Sequence, residues 1–124
     1  ANGAAWFVDS VRLVDGPDAE IAALGGLDTK TVAVVDKPFA SLVENVAPAA
    51  DSAARIAMTE YRVNLQRYEY TAAAPGVAVF SEIYYPKGWT AYLDGVEAPY
   101  FRADYVLRAM VLPAGTHTVE FRFR

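Results

Sequence analysis

With 124 residues and no cysteine, the chain has the length of one domain and must hold its core without disulfides or thiolate metal sites. A hydrophobic fraction of 54% with 13% aromatics excludes wholesale disorder. The net charge of −4, with no run of Lys and Arg to offset it, repels phosphate backbones and excludes nucleic acid as an expected partner.

The first strand expected runs from Ala5 to Val14, rich in aromatic and β-branched residues and closed by Asp15-Gly16-Pro17. Pro17, Asp18 and Glu20 open a short helix, Ile21 and Leu24 share one face, and Gly25-Gly26 stop it. A compact strand follows over Thr31 to Val35, then a helical turn or two from Phe39 to Val46, then one long loop from Ala47 to Ala54.

From Arg55 the pattern is strand after strand: 55–60, 62–71, 76–85, 89–94, 97–101, 105–112 and 116–124, separated by Pro, Gly or Asp-Gly. Asp94-Gly95 is a type I′ hairpin signal, because both turn positions need positive φ. The last strand alternates, with Val119, Phe121 and Phe123 on one face and Thr118, Glu120, Arg122 and Arg124 on the other. Val77 to Tyr85 is apolar on both parities, the pattern of a central strand covered on both faces. The expected fold is therefore mainly β: one domain over 1–124, an antiparallel two-sheet sandwich, Ig-like or jelly-roll-like. A lead-in with one or two short helices occupies 1–54, and the main strands occupy 55–124.

The run Phe80-Ser81-Glu82-Ile83-Tyr84-Tyr85-Pro86-Lys87-Gly88-Trp89-Thr90-Ala91-Tyr92-Leu93-Asp94-Gly95 is more specific than composition. With Tyr100 to Ala109 and Pro113-Ala114-Gly115-Thr116-His117, it resembles the C-terminal soluble domain of YfhO-type bacterial membrane proteins, as found in Bacteroidetes. Ala5-Trp6-Phe7-Val8 is also similar, so the resemblance spans nearly the whole chain. It implies a large polytopic parent related to lipid-linked-sugar glycosyltransferases, with this piece on the extracytoplasmic (periplasmic) face. A final membrane helix would follow Arg124, and the catalytic carboxylates would lie in the membrane part, upstream of Ala1. The implied partner is the remainder of that parent, with a glycan or lipid-linked sugar as candidate ligand. The chain itself is expected to be a piece of that longer polypeptide, with no stretch near the ~18 uninterrupted apolar residues of a membrane span.

Candidate chemistry sits in the same run. Tyr84, Tyr85, Trp89 and Tyr92 could present flat rings to a sugar, with Lys87, Arg102, Glu82 and Asp94 supplying polar groups. The competing reading makes Trp89 a core plug and Pro86-Lys87-Gly88 a simple connection. Arg108 shares parity with Val106, Met110 and Leu112, so a buried face would demand a carboxylate, with Glu82, Asp94 and Asp104 as candidates. His117, the one histidine, reads as a solvated strand-end residue. Ser10, Ser41, Ser52 and Ser81 have no nucleophile-elbow context. No catalytic, cofactor or metal residue is expected. The alternative to a glycan-contacting module is a structural or protein-interaction sandwich without a ligand. An exposed aromatic groove with convergent polar groups would favour the first, and a flat apolar patch the second.

Overall fold

The computed structural model describes residues 3–51 and 53–124, so Ser52 lies outside the described residues. The strands are β1 (Ala5–Val8), β2 (Ser10–Val14), β3 (Val32–Asp36), β4 (Arg55–Arg62), β5 (Leu65–Ala72), β6 (Gly76–Ile83), β7 (Trp89–Leu93), β8 (Val96–Ala98), β9 (Phe101–Ala103), β10 (Leu107–Leu112) and β11 (Gly115–Phe123). Helix α1 covers Pro17–Leu24, and a 3-10 turn at Lys37–Phe39 leads into α2 (Ala40–Val43). The mainly β, layered antiparallel architecture expected from the sequence holds. One sheet has the order β1-β6-β10-β9, and the other β4-β5-β11-β7-β8.

Alternation along each strand decides which face meets which core. In β6, Ala78 and Phe80 point between the two sheets, where they meet Tyr68, Tyr70, Met110, Leu112, Val119 and Phe121. Val77 and Val79 point the other way, onto Ala33, Val35, Val43, Phe101 and Ala109. All four of these β6 side chains are sealed from solvent. The central strand read from its double-parity apolar run is thus buried twice.

The second covering is a feature the two-sheet reading lacked. The expected strand over Ala5 to Val14 breaks at Asp9, because the Asp9 and Ser10 N–H groups both donate to the Thr31 carbonyl (2.7 and 3.1 Å) and turn the chain out of the sheet. Residues beyond the break form β2, which pairs in parallel with β3 through the α1 crossover. This βαβ unit, with α2, makes a third layer on the outer face of the four-stranded sheet. Two further boundaries move. The β4–β5 hairpin turns at Val63-Asn64 rather than at Tyr61. The expected strand over 97–101 divides at Pro99 into β8 and β9, which belong to different sheets. Asp94 and Gly95 adopt φ of 50° and 84°, as their hairpin turn requires.

The third layer is fastened by charge. Glu20, fully buried on α1, accepts from Arg102 Nη2 (2.8 Å) and Nε (3.2 Å) through one carboxylate oxygen, and from the Tyr105 N–H (2.6 Å) through the other. Arg102 Nη2 also donates to Asp36 (3.1 Å), whose other oxygen accepts the Gly16 N–H at the start of α1 (2.9 Å). Asp104 completes the join: its Oδ1 accepts the Val34 N–H (2.9 Å) and its own N–H donates to the Val34 carbonyl (2.8 Å). Its second oxygen, Oδ2, is buried without a hydrogen-bond partner.

Burial, with the nearby Glu20 charge, raises the Asp104 carboxyl to about 6. An acid whose folded pKa is raised binds its proton more tightly when folded, so stability falls as pH rises between its ordinary value and about 6. Asp104→Asn keeps the Val34 acceptor and tolerates the left-handed φ of 51°, while removing the charge. It is expected to abolish a loss of up to roughly 3 kcal/mol across that window, as read from urea midpoints between pH 4 and pH 8. A slope that survives the substitution unchanged would show that Asp104 does not cause it.

Candidate functional site

Strand directions bring four pieces of chain to one end of the sandwich. These are the β4–β5 hairpin at 61–65, the β6–β7 connection at 84–88, the β9–β10 turn at 104–106, and the end of β11. The Phe123 N–H donates to Asn64 (2.9 Å), Arg124 to Gly88 (3.0 Å) and Tyr84 to Val106 (2.7 Å). Gly88 has φ of 88°, and a Cβ there would lie 2.5 Å from the Phe123 ring, so only glycine allows this approach.

The residues singled out in the sequence do not form one groove. Tyr84 is half-buried, edge-on to Phe39 and Tyr100 with centroids 5.9 and 5.7 Å away. Trp89 is half-buried, tilted against Phe123 at 5.1 Å, and its carbonyl accepts the Tyr100 hydroxyl (2.9 Å). Tyr85 and Lys87 are exposed on the connection between them. Tyr92 lies elsewhere, on the outer face of the five-stranded sheet beneath the Arg122 guanidinium, 4.1 Å from its ring centre. Arg102 is bound to Glu20 and Asp36 on the far layer, so it is not available at the Trp89 surface.

Arg108 is buried, as its parity requires, but it takes no direct carboxylate. Nε donates to the Ile83 carbonyl (2.9 Å) and Nη1 to Gln66 Oε1 (2.8 Å), while Gln66 Nε2 donates to Glu82 (3.2 Å). The expected ion pair with Glu82 becomes a relay through an amide, and Asp104 is engaged with Val34 instead. The guanidinium also lies over the rings of Trp89 (4.5 Å) and Phe121 (4.8 Å). Burial lowers the Arg108 pKa, with Glu82 opposing that shift. The sequence reading missed Gln66, although its place two residues before Tyr68 and four before Tyr70 put it on the buried parity.

His117 is tied more firmly than a solvated strand end. Its Nδ1 lies 2.6 Å from Asp94 Oδ2 and its Nε2 2.9 Å from the Ala114 carbonyl, so both nitrogens face acceptors and the imidazolium is favoured. The Asp94 bond, then the Ala114 carbonyl, raise the His117 pKa. The Thr118 N–H and His117 together lower that of Asp94. The pair staples the β7–β8 hairpin to β11.

The exposed chemistry at the shared end is of another kind. Tyr61 (62% exposed), Val63 (91%), Ile83 (63%), Tyr85 (53%), Tyr105, Val106 and Phe123 all belong to it, seven of the eleven large apolar side chains left exposed among the described residues. Around them stand Arg62, Lys87, Arg122 and Arg124. Glu60 is already held by Arg62 and Arg67, and Glu120 by Arg67 and Arg122. Lys87 and Arg124 have no ion-pair partner among the described residues. A shallow cleft of about 440 Å³ opens beside them, lined by Arg62, Arg67, Tyr92, Glu120, Arg122 and Arg124. At the opposite end, a cleft of about 640 Å³ is walled mainly by alanines with Trp6, Phe7 and Ile56. Among the described residues, no group of three or more His, Asp or Glu side chains is arranged to hold a metal, and no helix is long and apolar enough to cross a membrane.

Compared with protein-family models, curated proteins and solved structures, the chain matches none.

Replacing Arg108 with Met leaves the Ile83 carbonyl and the Gln66 oxygen without their donors, and removes the cation from two rings. Arg108→Met should lower the unfolding free energy by roughly 2 kcal/mol. A variant as stable as the parent in urea would mean that relief from burying the charge outweighs those losses.

Proposed function

We propose that the chain is a docking module of a polytopic, glycosyltransferase-like membrane protein, held on the extracytoplasmic face and carrying no part of the active site. The observation that supports this reading is the asymmetry of the surface: most of the exposed apolar side chains gather at one end, ringed by cations, in a chain of net charge −4. A solvated domain gains nothing from such a pole, whereas a module that rests on a membrane or on membrane-embedded protein needs one. In this reading the pole faces the parent's membrane portion, and the chemistry is performed elsewhere in the parent.

The docking role is favoured over a sugar platform because the candidate sugar contacts are dispersed. Tyr84 and Trp89 spend their rings on Tyr100, Phe39, Phe123 and Arg108, and Arg102 is saturated by two carboxylates. What remains exposed, Tyr85 and Lys87, belongs to the apolar and basic pole.

The absence of cysteine in this chain makes the location directly testable. Ser41→Cys, on an exposed position of α2, is placed in the full polypeptide freed of any other cysteine. A membrane-impermeant maleimide is expected to label it on intact cells once any outer barrier is permeabilised. Labelling only after lysis of the inner membrane would contradict the extracytoplasmic placement.

A further inference from the structure

We infer that the pole itself is a bilayer-docking face that takes anionic phospholipid headgroups. The inference deepens the docking role just given by naming the partner, and its test stands apart from the parent's topology.

Three features point to lipid rather than to a protein surface. Four of the seven apolar side chains project from turns, Val63 at the tip of the β4–β5 hairpin, Tyr85 on the β6–β7 connection, and Tyr105 and Val106 on the β9–β10 turn, while Tyr61, Ile83 and Phe123 sit at the strand ends beside them. Separate turns bearing one or two apolar residues each suit insertion between headgroups better than a flat interface, which needs contiguous shape complementarity. Tyr61, Tyr85 and Tyr105 combine an apolar body with a polar tip, the composition favoured at the level of the headgroups.

The charges supply the third feature. Lys87 and Arg124 lack an ion-pair partner among the described residues, Arg62 and Arg122 flank them and share Glu60 and Glu120 with Arg67, and Glu82 is matched through Gln66 by the buried Arg108 cation. The pole therefore carries surplus positive charge, while the chain as a whole is negative. An anionic surface attracts this end and repels the rest, which fixes the orientation as well as the affinity. Apolar insertion and cation attraction are the two signals that together give stable peripheral binding, where either alone is marginal.

The test uses the purified chain with vesicles of phosphatidylglycerol in phosphatidylcholine, read by co-sedimentation at 50 and 500 mM salt. Binding to these vesicles, weaker at high salt and absent on pure phosphatidylcholine, is the expected result. Val63→Asp with Tyr85→Asp should weaken binding by about tenfold or more, and Lys87→Glu with Arg124→Glu by about fivefold or more per cation reversed. All four side chains are exposed, so the fold should survive, and an unchanged urea midpoint checks this. Val96→Asp, at an exposed apolar residue that begins β8 outside the pole, should bind like the parent. Absence of binding, equal binding to neutral vesicles, or binding that both double variants retain overturns the inference. A chain that labels as extracytoplasmic yet ignores vesicles removes only the lipid partner. One that binds vesicles yet labels from the cytoplasm removes only the placement of the parent.

Discussion

A strand with apolar side chains on both faces has to be covered twice, and β6 sets that condition for the whole molecule. Phe80 and Ala78 require one partner layer, Val77 and Val79 another, and all four are sealed from solvent. Burying a Val or Phe side chain is worth about 1.5–3 kcal/mol, so leaving either face open would forfeit several kcal/mol in a fold whose whole margin is about 5–15. The five-stranded sheet answers the first demand. The second is met by residues 10–46, folded as a parallel β2–β3 pair with α1 and α2 lying over the outer face.

Two thin apolar layers leave the question of what fixes their relative position, and here buried charge decides. Arg102 ties β9 to α1 through Glu20 and to β3 through Asp36, and Asp104 closes a two-bond ring with Val34. On the other side of the four-stranded sheet, Arg108 joins β10 to the end of β6 at Ile83 and to β5 at Gln66. Each group loses hydration on burial, and each is compensated by directed bonds that only one register satisfies. Asp104 is compensated least, and its raised pKa is the sign of that.

Much of this was readable in the residues, and the failures have a common cause. The double-parity run of β6, the alternation of β11, the Asp94-Gly95 turn and the Pro17 helix start follow from local periodicity and backbone chemistry, and they appear as expected. Transfers between layers do not follow from periodicity. The run from Ala5 to Val14 resumes its apolar pattern after Asp9-Ser10, so nothing local says that the Thr31 carbonyl draws the chain into another sheet. In sequence Arg102 reads as a sugar contact and Arg108 as half of a buried ion pair, and neither position shows which side chain arrives beside it. Their roles differ because Glu20, distant in the chain, arrives beside one and Gln66 beside the other. The apolar pole was equally hidden, since Val63, Ile83, Tyr85 and Phe123 are each ordinary apolar residues until strand directions gather them.

The fold thereby separates its tasks. The covered faces and buried charges hold three layers in register, leaving the turns at one end free to carry side chains that no core recruits. Everything rests on β6 being enclosed from both sides, and equilibrium urea unfolding of Val79→Ala beside Phe80→Ala measures that directly. If both faces are packed, Val79→Ala should cost roughly 2 kcal/mol, alongside about 3–5 kcal/mol for Phe80→Ala. A Val79→Ala variant within about 0.5 kcal/mol of the parent, as for an exposed position, would show that the outer layer does not cover the sheet and would contradict the account.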